Sequence, residues 1–117
     1  MKKYFIVAGV IALATLLYNC SGSKKATASS TPPASTYETN VKTVIEANCS
    51  PCHIPVKGGN KKAYDDFANV KADIDDIIRR IELNPGDRGF MPFKHSKLSD
   101  STITVFKKWK TDGLLEK

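Results

Sequence analysis

The chain has 117 residues, of which 41% are hydrophobic, 9% aromatic and 26% charged, with a formal net charge of +6. Four of its 18 Lys and Arg precede residue 36 and none of its 12 Asp and Glu do, so residues 36–117 carry only 14 basic against 12 acidic groups, or +2. That near-balance argues against a nucleic-acid binder, whose affinity comes from a clustered basic surface. A segment this short buries a limited core and usually depends on a staple or a cofactor.

The N-terminus reads as an export signal. Lys2 and Lys3 precede an apolar run from Tyr4 to Leu17 that includes Ile6, Val7, Val10, Ile11, Leu13, Leu16 and Leu17. At about 14 residues it matches a signal-peptide core and falls short of the roughly 20 needed to span a bilayer. It closes on Leu17-Tyr18-Asn19-Cys20, which resembles a bacterial lipoprotein signal. That pattern makes residues 1–19 the signal peptide and Cys20 the lipidated first residue of the mature chain. Tyr18 and Asn19 stand where small residues are usual, and an uncleaved anchor or ordinary cleavage leaving Cys20 as a free thiol are the competing readings. All three export the chain. Residues 20–35 follow as a Ser-, Thr- and Ala-rich tether with Pro32-Pro33 and no large apolar side chain, a composition that stays flexible.

The folded part is expected over residues 36–117. Tyr37, Val41, Val44, Ile45 and Asn48 recur at helical spacing, with Ser35 or Thr36 as N-cap and Glu38 in the first turn. The predicted helix ends at Asn48, immediately before Cys49-Ser50-Pro51-Cys52-His53. C-x-x-C-H is the attachment pattern of c-type haem: two thiols add across the porphyrin vinyl groups, and the adjacent imidazole ligates the iron. A redox dithiol would want a βαβ context, and a structural zinc site would want a second ligand pair, yet no cysteine follows Cys52. The loop after His53 contains Gly58-Gly59, which allows a close backbone turn.

From Tyr64 to Leu83, Phe67, Val70, Ile74, Ile77, Ile78 and Ile81 define an amphipathic helix with a possible break near Lys71, closed by Asn84-Pro85-Gly86. The loop from Asn84 to Leu98 carries Gly89-Phe90-Met91-Pro92-Phe93. The Met91 thioether is the candidate second iron ligand, on a loop stiffened by Pro92. His95 is its rival, which would give a bis-histidine haem. A last helix begins after N-cap candidates Ser99, Asp100 and Ser101, aligns Ile103, Phe106 and Trp109, and stops at Gly113. No stretch alternates over strand length, so the expected class is all-α.

In the order of these parts (helix, C-S-P-C-H, Gly-bearing loop, middle helix, M-P loop, final helix with Trp109) the domain resembles the bacterial mono-haem class I c-type cytochromes. The resemblance covers about 80 residues. It implies a bundle of three to four helices around one haem c, held covalently by Cys49 and Cys52, with His53 and Met91 as proximal and distal iron ligands. It also implies that the first and last helices cross, setting Val41, Val44 and Ile45 against Ile103, Phe106 and Trp109. A proximal histidine of this family is oriented by a backbone carbonyl in the following loop. Pro55 lies too close to His53 for that part, and the acceptor stays unassigned.

Arg79, Arg80 and Arg88 are candidate partners for the haem propionates. Lys94, Lys97, Lys107, Lys108 and Lys110 form either a docking patch for an acidic redox protein or a solvated face. With both axial positions filled by protein, the expected function is one-electron transfer by an exported, membrane-tethered, monomeric carrier, not an enzyme, working on the periplasmic side of a bacterial membrane. The alternatives are a haem-based sensor or peroxidase-like domain with an open sixth position, in which His95 would serve, and an exported thiol or structural domain without haem.

Overall fold

The computed structural model describes residues 32–117. The signal segment, Cys20 and all but the last four residues of the tether lie outside the described residues.

A π-helical turn, Tyr37–Val41, opens the first helix and continues into α1, Lys42–Asn48. Thr36 caps it twice over. Its hydroxyl accepts from Thr39 N at 3.2 Å, while its own N–H donates to Asn40 Oδ1 at 2.9 Å, the reciprocal logic of a capping box. The turn is wide because Val41 N reaches back to Thr36 O at 3.3 Å, one residue further than an α-helix allows.

α2 spans Phe67–Glu82 without a break at Lys71. It starts three residues later than the spacing predicts, because the Asp66 carboxylate accepts from Asn69 N at 2.9 Å and so fixes the N-terminus there. Tyr64 is thereby left outside the helix. Val70, Ile74, Ile77 and Ile81 form the buried stripe, and each such side chain contributes about 1.5–3 kcal/mol on burial. Lys97 Nζ donates to Glu82 O at 2.7 Å and satisfies a carbonyl at the helix end.

α3 covers Asp100–Thr111, capped by Ser99, whose hydroxyl accepts from Thr102 N at 3.2 Å. It ends in a Schellman motif: Gly113, at φ +98°, donates to Lys110 O at 3.2 Å, and Leu114 N donates to Trp109 O at 3.0 Å. The reversal sends the C-terminal tail back along the start of the first helix. Leu115 O accepts from Tyr37 N at 2.9 Å and from Trp109 Nε1 at 2.7 Å, and Glu116 O accepts from Glu38 N at 3.0 Å. Ser35, read from composition as part of the tether, is buried, and its N–H donates to Asp112 Oδ2 at 2.6 Å.

The described domain is all-α. Its single β contact is the isolated Thr36–Leu115 bridge, and no helix among the described residues is long and apolar enough to cross a membrane. One core joins Val41 and Ile45, the α2 stripe, and Ile103, Phe106 and Trp109, with Val44 packed half-buried at its margin. Tyr37, Phe67 and Trp109 meet at ring-centroid separations of 5.7–6.2 Å in tilted and edge-on geometry.

Candidate functional site

The five residues after α1 do not leave it as a free loop. Cys49 N donates to Ile45 O at 2.8 Å, His53 N to Cys49 O at 3.0 Å and Ile54 N to Pro51 O at 3.0 Å, so Cys49 to His53 are wound into consecutive turns at the helix end. Ile54 is buried in the core and anchors the far side of these turns. The chain then makes a one-turn 3-10 helix, Pro55–Lys57, and reverses at Gly58, which adopts φ +86°. Gly59 has a different reason to be glycine. A Cβ there would stand 2.2 Å from Pro51 O and 2.6 Å from Cys52 O, inside hard contact, so only a hydrogen fits against the back of the C-x-x-C turn. Lys61 N then bonds Cys52 O at 3.0 Å, closing the return strand of the loop onto the motif.

His53 is held on its edge and on its face. Its Nδ1 lies 2.8 Å from Lys62 O. A carbonyl can only accept, so this contact places the imidazole proton on Nδ1 and leaves the Nε2 lone pair for a Lewis acid. Lys62, not Pro55, supplies the acceptor that the sequence left open. The imidazole stacks on Tyr64 with ring centroids 4.3 Å apart and planes inclined by 2°. Tyr64 is itself fixed by three bonds: its N–H donates to His53 O at 2.9 Å, its carbonyl accepts from Tyr37 Oη at 2.9 Å, and its hydroxyl donates to Asp73 Oδ2 at 3.1 Å. Partial burial, and the Asp73 carboxylate after it, raise the Tyr64 phenol well above its ordinary range, and burial chiefly pushes Tyr37 up to about 12. Both phenols therefore remain donors at any physiological pH.

The Met91 loop is attached to the other wall. Phe90 is buried, Met91 N donates to Arg80 O at 3.2 Å, and Arg80 Nη1 reaches Gly89 O at 3.4 Å. Met91 is half-buried and packs on the core. His95 is exposed.

These pieces enclose one cleft of about 330 Å³. Cys49, Cys52, His53, Met91 and His95 all line it, together with Ile77 and Ile81 of α2 and Leu98; Lys61, Asp76 and Arg80 stand among its polar lining residues. Of the three arginines singled out from the sequence, only Arg80 is on this cleft. Lys107, Lys108 and Lys110 lie on α3 and are not part of its lining. They pair with Glu82, Asp112 and Asp75 respectively, which favours the solvated-face reading of that half of the cluster.

The donor set fits a covalently attached iron porphyrin: two free thiols three residues apart, an imidazole presenting Nε2, a thioether on the facing loop, and apolar walls between them. It fits the competing chemistries less well. Burial pushes the Cys49 thiol up to about 11, whereas an attacking dithiol needs a depressed pKa. Among the described residues no three His, Cys, Asp or Glu side chains converge as a bare metal site.

Lys62, Tyr64 and Asp73 escape a reading by residue type. A backbone carbonyl leaves no mark on sequence, Tyr64 scans as the first apolar position of the middle helix, and Asp73 scans as one more acid on its polar face. In comparisons with known proteins, no family model, no curated protein and no solved structure matches the chain.

Proposed function

We propose that this chain is a c-type cytochrome of the class I kind: an exported carrier, tethered to a membrane through Cys20, that passes single electrons between redox proteins. The observation that carries the reading is the convergence of Cys49, Cys52, His53 and Met91, brought from a helix end and a distant loop, onto one apolar cleft. When bound, the haem supplies a one-electron iron couple, whose potential a His/Met ligand pair raises.

The chain's own residues divide the remaining work. The Cys49 and Cys52 thiols would hold the group covalently and prevent its loss. His53 would offer Nε2 and Met91 its thioether to the iron, leaving no place there for an exchangeable substrate. Ile77, Ile81 and Leu98 exclude water, which favours the less charged iron state. Arg80 and Lys61 offer charge-assisted hydrogen bonds to propionate carboxylates. With His53 and Met91 both serving the iron, the domain would be an electron carrier and not an enzyme. His95, also on the cleft wall, is the residue through which a ligand sensor or peroxidase-like haem would work.

The test is a visible spectrum of the exported full chain, oxidised, reduced, and reduced under CO. The expected result is a low-spin ferrous spectrum that CO does not change, CO binding once Met91→Ala opens the position, and no retained haem in Cys49→Ser/Cys52→Ser. Ready CO binding by the unmodified protein would overturn the six-coordinate carrier in favour of sensing or catalysis.

A further inference from the structure

Both restraints on the His53 imidazole trace to one carboxylate on α2. Asp73 Oδ2 accepts from the Tyr64 hydroxyl at 3.1 Å, and Tyr64 covers the face of the imidazole. Asp73 Oδ1 accepts from Lys62 Nζ at 2.8 Å, and the carbonyl of that same Lys62 receives the imidazole edge. We propose that Asp73 is a positioning residue for His53, setting the plane of the imidazole and the basicity of its Nε2 through Tyr64 and the Lys62 segment.

The need for such an anchor follows from the chain around it. Lys61 and Lys62 are exposed and follow Gly58-Gly59-Asn60, none of which is buried. Backbone bonds on either side, Lys61 N to Cys52 O and Tyr64 N to His53 O, tie the segment to the motif, but the Lys61 and Lys62 side chains do not pack on the core. Asp73 flanks the buried stripe of α2, one turn from both Val70 and Ile77, so its carboxylate stands on a part of the helix held by the core. The Lys62–Asp73 pair is worth little as stability, because its side chains are 44% and 29% exposed and water screens them. What the two bonds provide is geometry. A metal-bound histidine whose second nitrogen donates to a carbonyl is a stronger donor, and it is held to one ring orientation.

This inference rests on the haem reading, and one set of measurements separates the two. Haem-loaded wild-type protein is compared with Asp73→Ala, Asp73→Asn, Tyr64→Leu and Tyr64→Phe by equilibrium redox titration and by proton NMR of the ferric form. The hyperfine-shifted porphyrin methyl resonances report the plane of the axial imidazole. Asp73→Ala and Tyr64→Leu should raise the potential, because a weaker His53 donor stabilises the ferric state less, and should reorder the methyl resonances. Tyr64→Phe keeps the stacked ring but severs its bond to Asp73, so it should reorder the methyl resonances as Asp73→Ala does, while Asp73→Asn, whose amide oxygen still accepts from the phenol, should depart least from the wild-type order. Asp75→Ala removes the same charge from an outward-facing site paired with Lys110; it should leave the methyl order unchanged and so separates plain electrostatics from positioning. Methyl order unchanged in Asp73→Ala overturns the proposal while leaving the cytochrome reading intact. If Asp73→Ala does not fold, Tyr64→Phe decides, because it removes the same hydrogen bond and leaves the carboxylate in place: an unchanged methyl order there overturns the proposal, and a wild-type protein that carries no haem overturns both readings.

Discussion

Two regions of this small domain solve the problem of a limited core in opposite ways. Where the C-terminal tail meets the start of the first helix, Tyr37, Phe67 and Trp109 pack ring on ring, and the tail supplies carbonyls to Tyr37 N, Glu38 N and Trp109 Nε1. That region is complete: its apolar groups face one another and its buried polar groups are paired. Around Cys49, His53 and Met91 the same helices leave apolar side chains lining a cleft, and the hydrogen bonds there serve to orient ligand atoms. The contrast teaches that closure at one region is what permits incompleteness at the other. A fold that left both open would have nothing to hold His53 and Met91 apart at a fixed span.

The largest effect should come from breaking the closed region. Trp109 is fully buried, so Trp109→Ala removes its volume, both aromatic contacts and the bond to Leu115 O. The expected loss is about 3–5 kcal/mol, a large share of the 5–15 kcal/mol typical of a whole domain. It is read as a fall in the denaturant midpoint of the haem-loaded protein followed by far-UV circular dichroism. A loss under about 1 kcal/mol would mean that the cleft, not the aromatic cluster, holds the fold together.

A smaller effect should follow from tightening the frame of the cleft. Gly59→Ala drives a methyl group into two backbone carbonyls of the C-x-x-C turn, neither of which is the end of a flexible side chain. The turn must shift, at about 1–3 kcal/mol, and the shift falls on Cys52. The expected outcome is reduced covalent haem per mole of protein, with the helical signal largely retained. Gly58→Ala meets no neighbour and bears only the strain of φ +86°, so its haem content should stay near the wild-type level.

The same contrast explains what the sequence made legible. The stripe Val70, Ile74, Ile77 and Ile81, and the trio Ile103, Phe106 and Trp109, were readable because helix burial is periodic and side-chain type reports it. Cys49, Cys52, His53 and Met91 could be singled out because thiol, imidazole and thioether side chains are rare and their spacing is specific, and the structure brings all four to one cleft. Three features were not. The spacing extends helix α2 back to Tyr64, because an aromatic at the right spacing scores as helix whether or not Asp66 caps the chain first. The carbonyls of Lys62 and Leu115 hold His53 and Trp109, and any residue type has a carbonyl. Ser35 looks like tether by composition, yet its N–H is pinned by a carboxylate 77 positions away.

That last contact gives the smallest and most conditional effect. Lys108 Nζ, and after it the Ser35 N–H, hold the Asp112 carboxyl below its ordinary 3.8. A carboxyl lowered in the folded state contributes stability that is fully present above 3.8 and is lost as the pH falls through the lower, folded value. Asp112→Asn keeps an acceptor for Ser35 N but carries no charge, so this part of its stability does not titrate. The wild type should therefore be modestly more stable than Asp112→Asn at pH 5–7, and the difference should shrink toward zero as the pH drops below the carboxylate range. Because the pair is near the surface, added salt should shrink it too. Thermal unfolding of both proteins across pH, at low and high salt, measures this. A difference that stays constant into acid would show that it does not come from the charge of Asp112, and would overturn this account of how the carboxylate holds the entry of the tether.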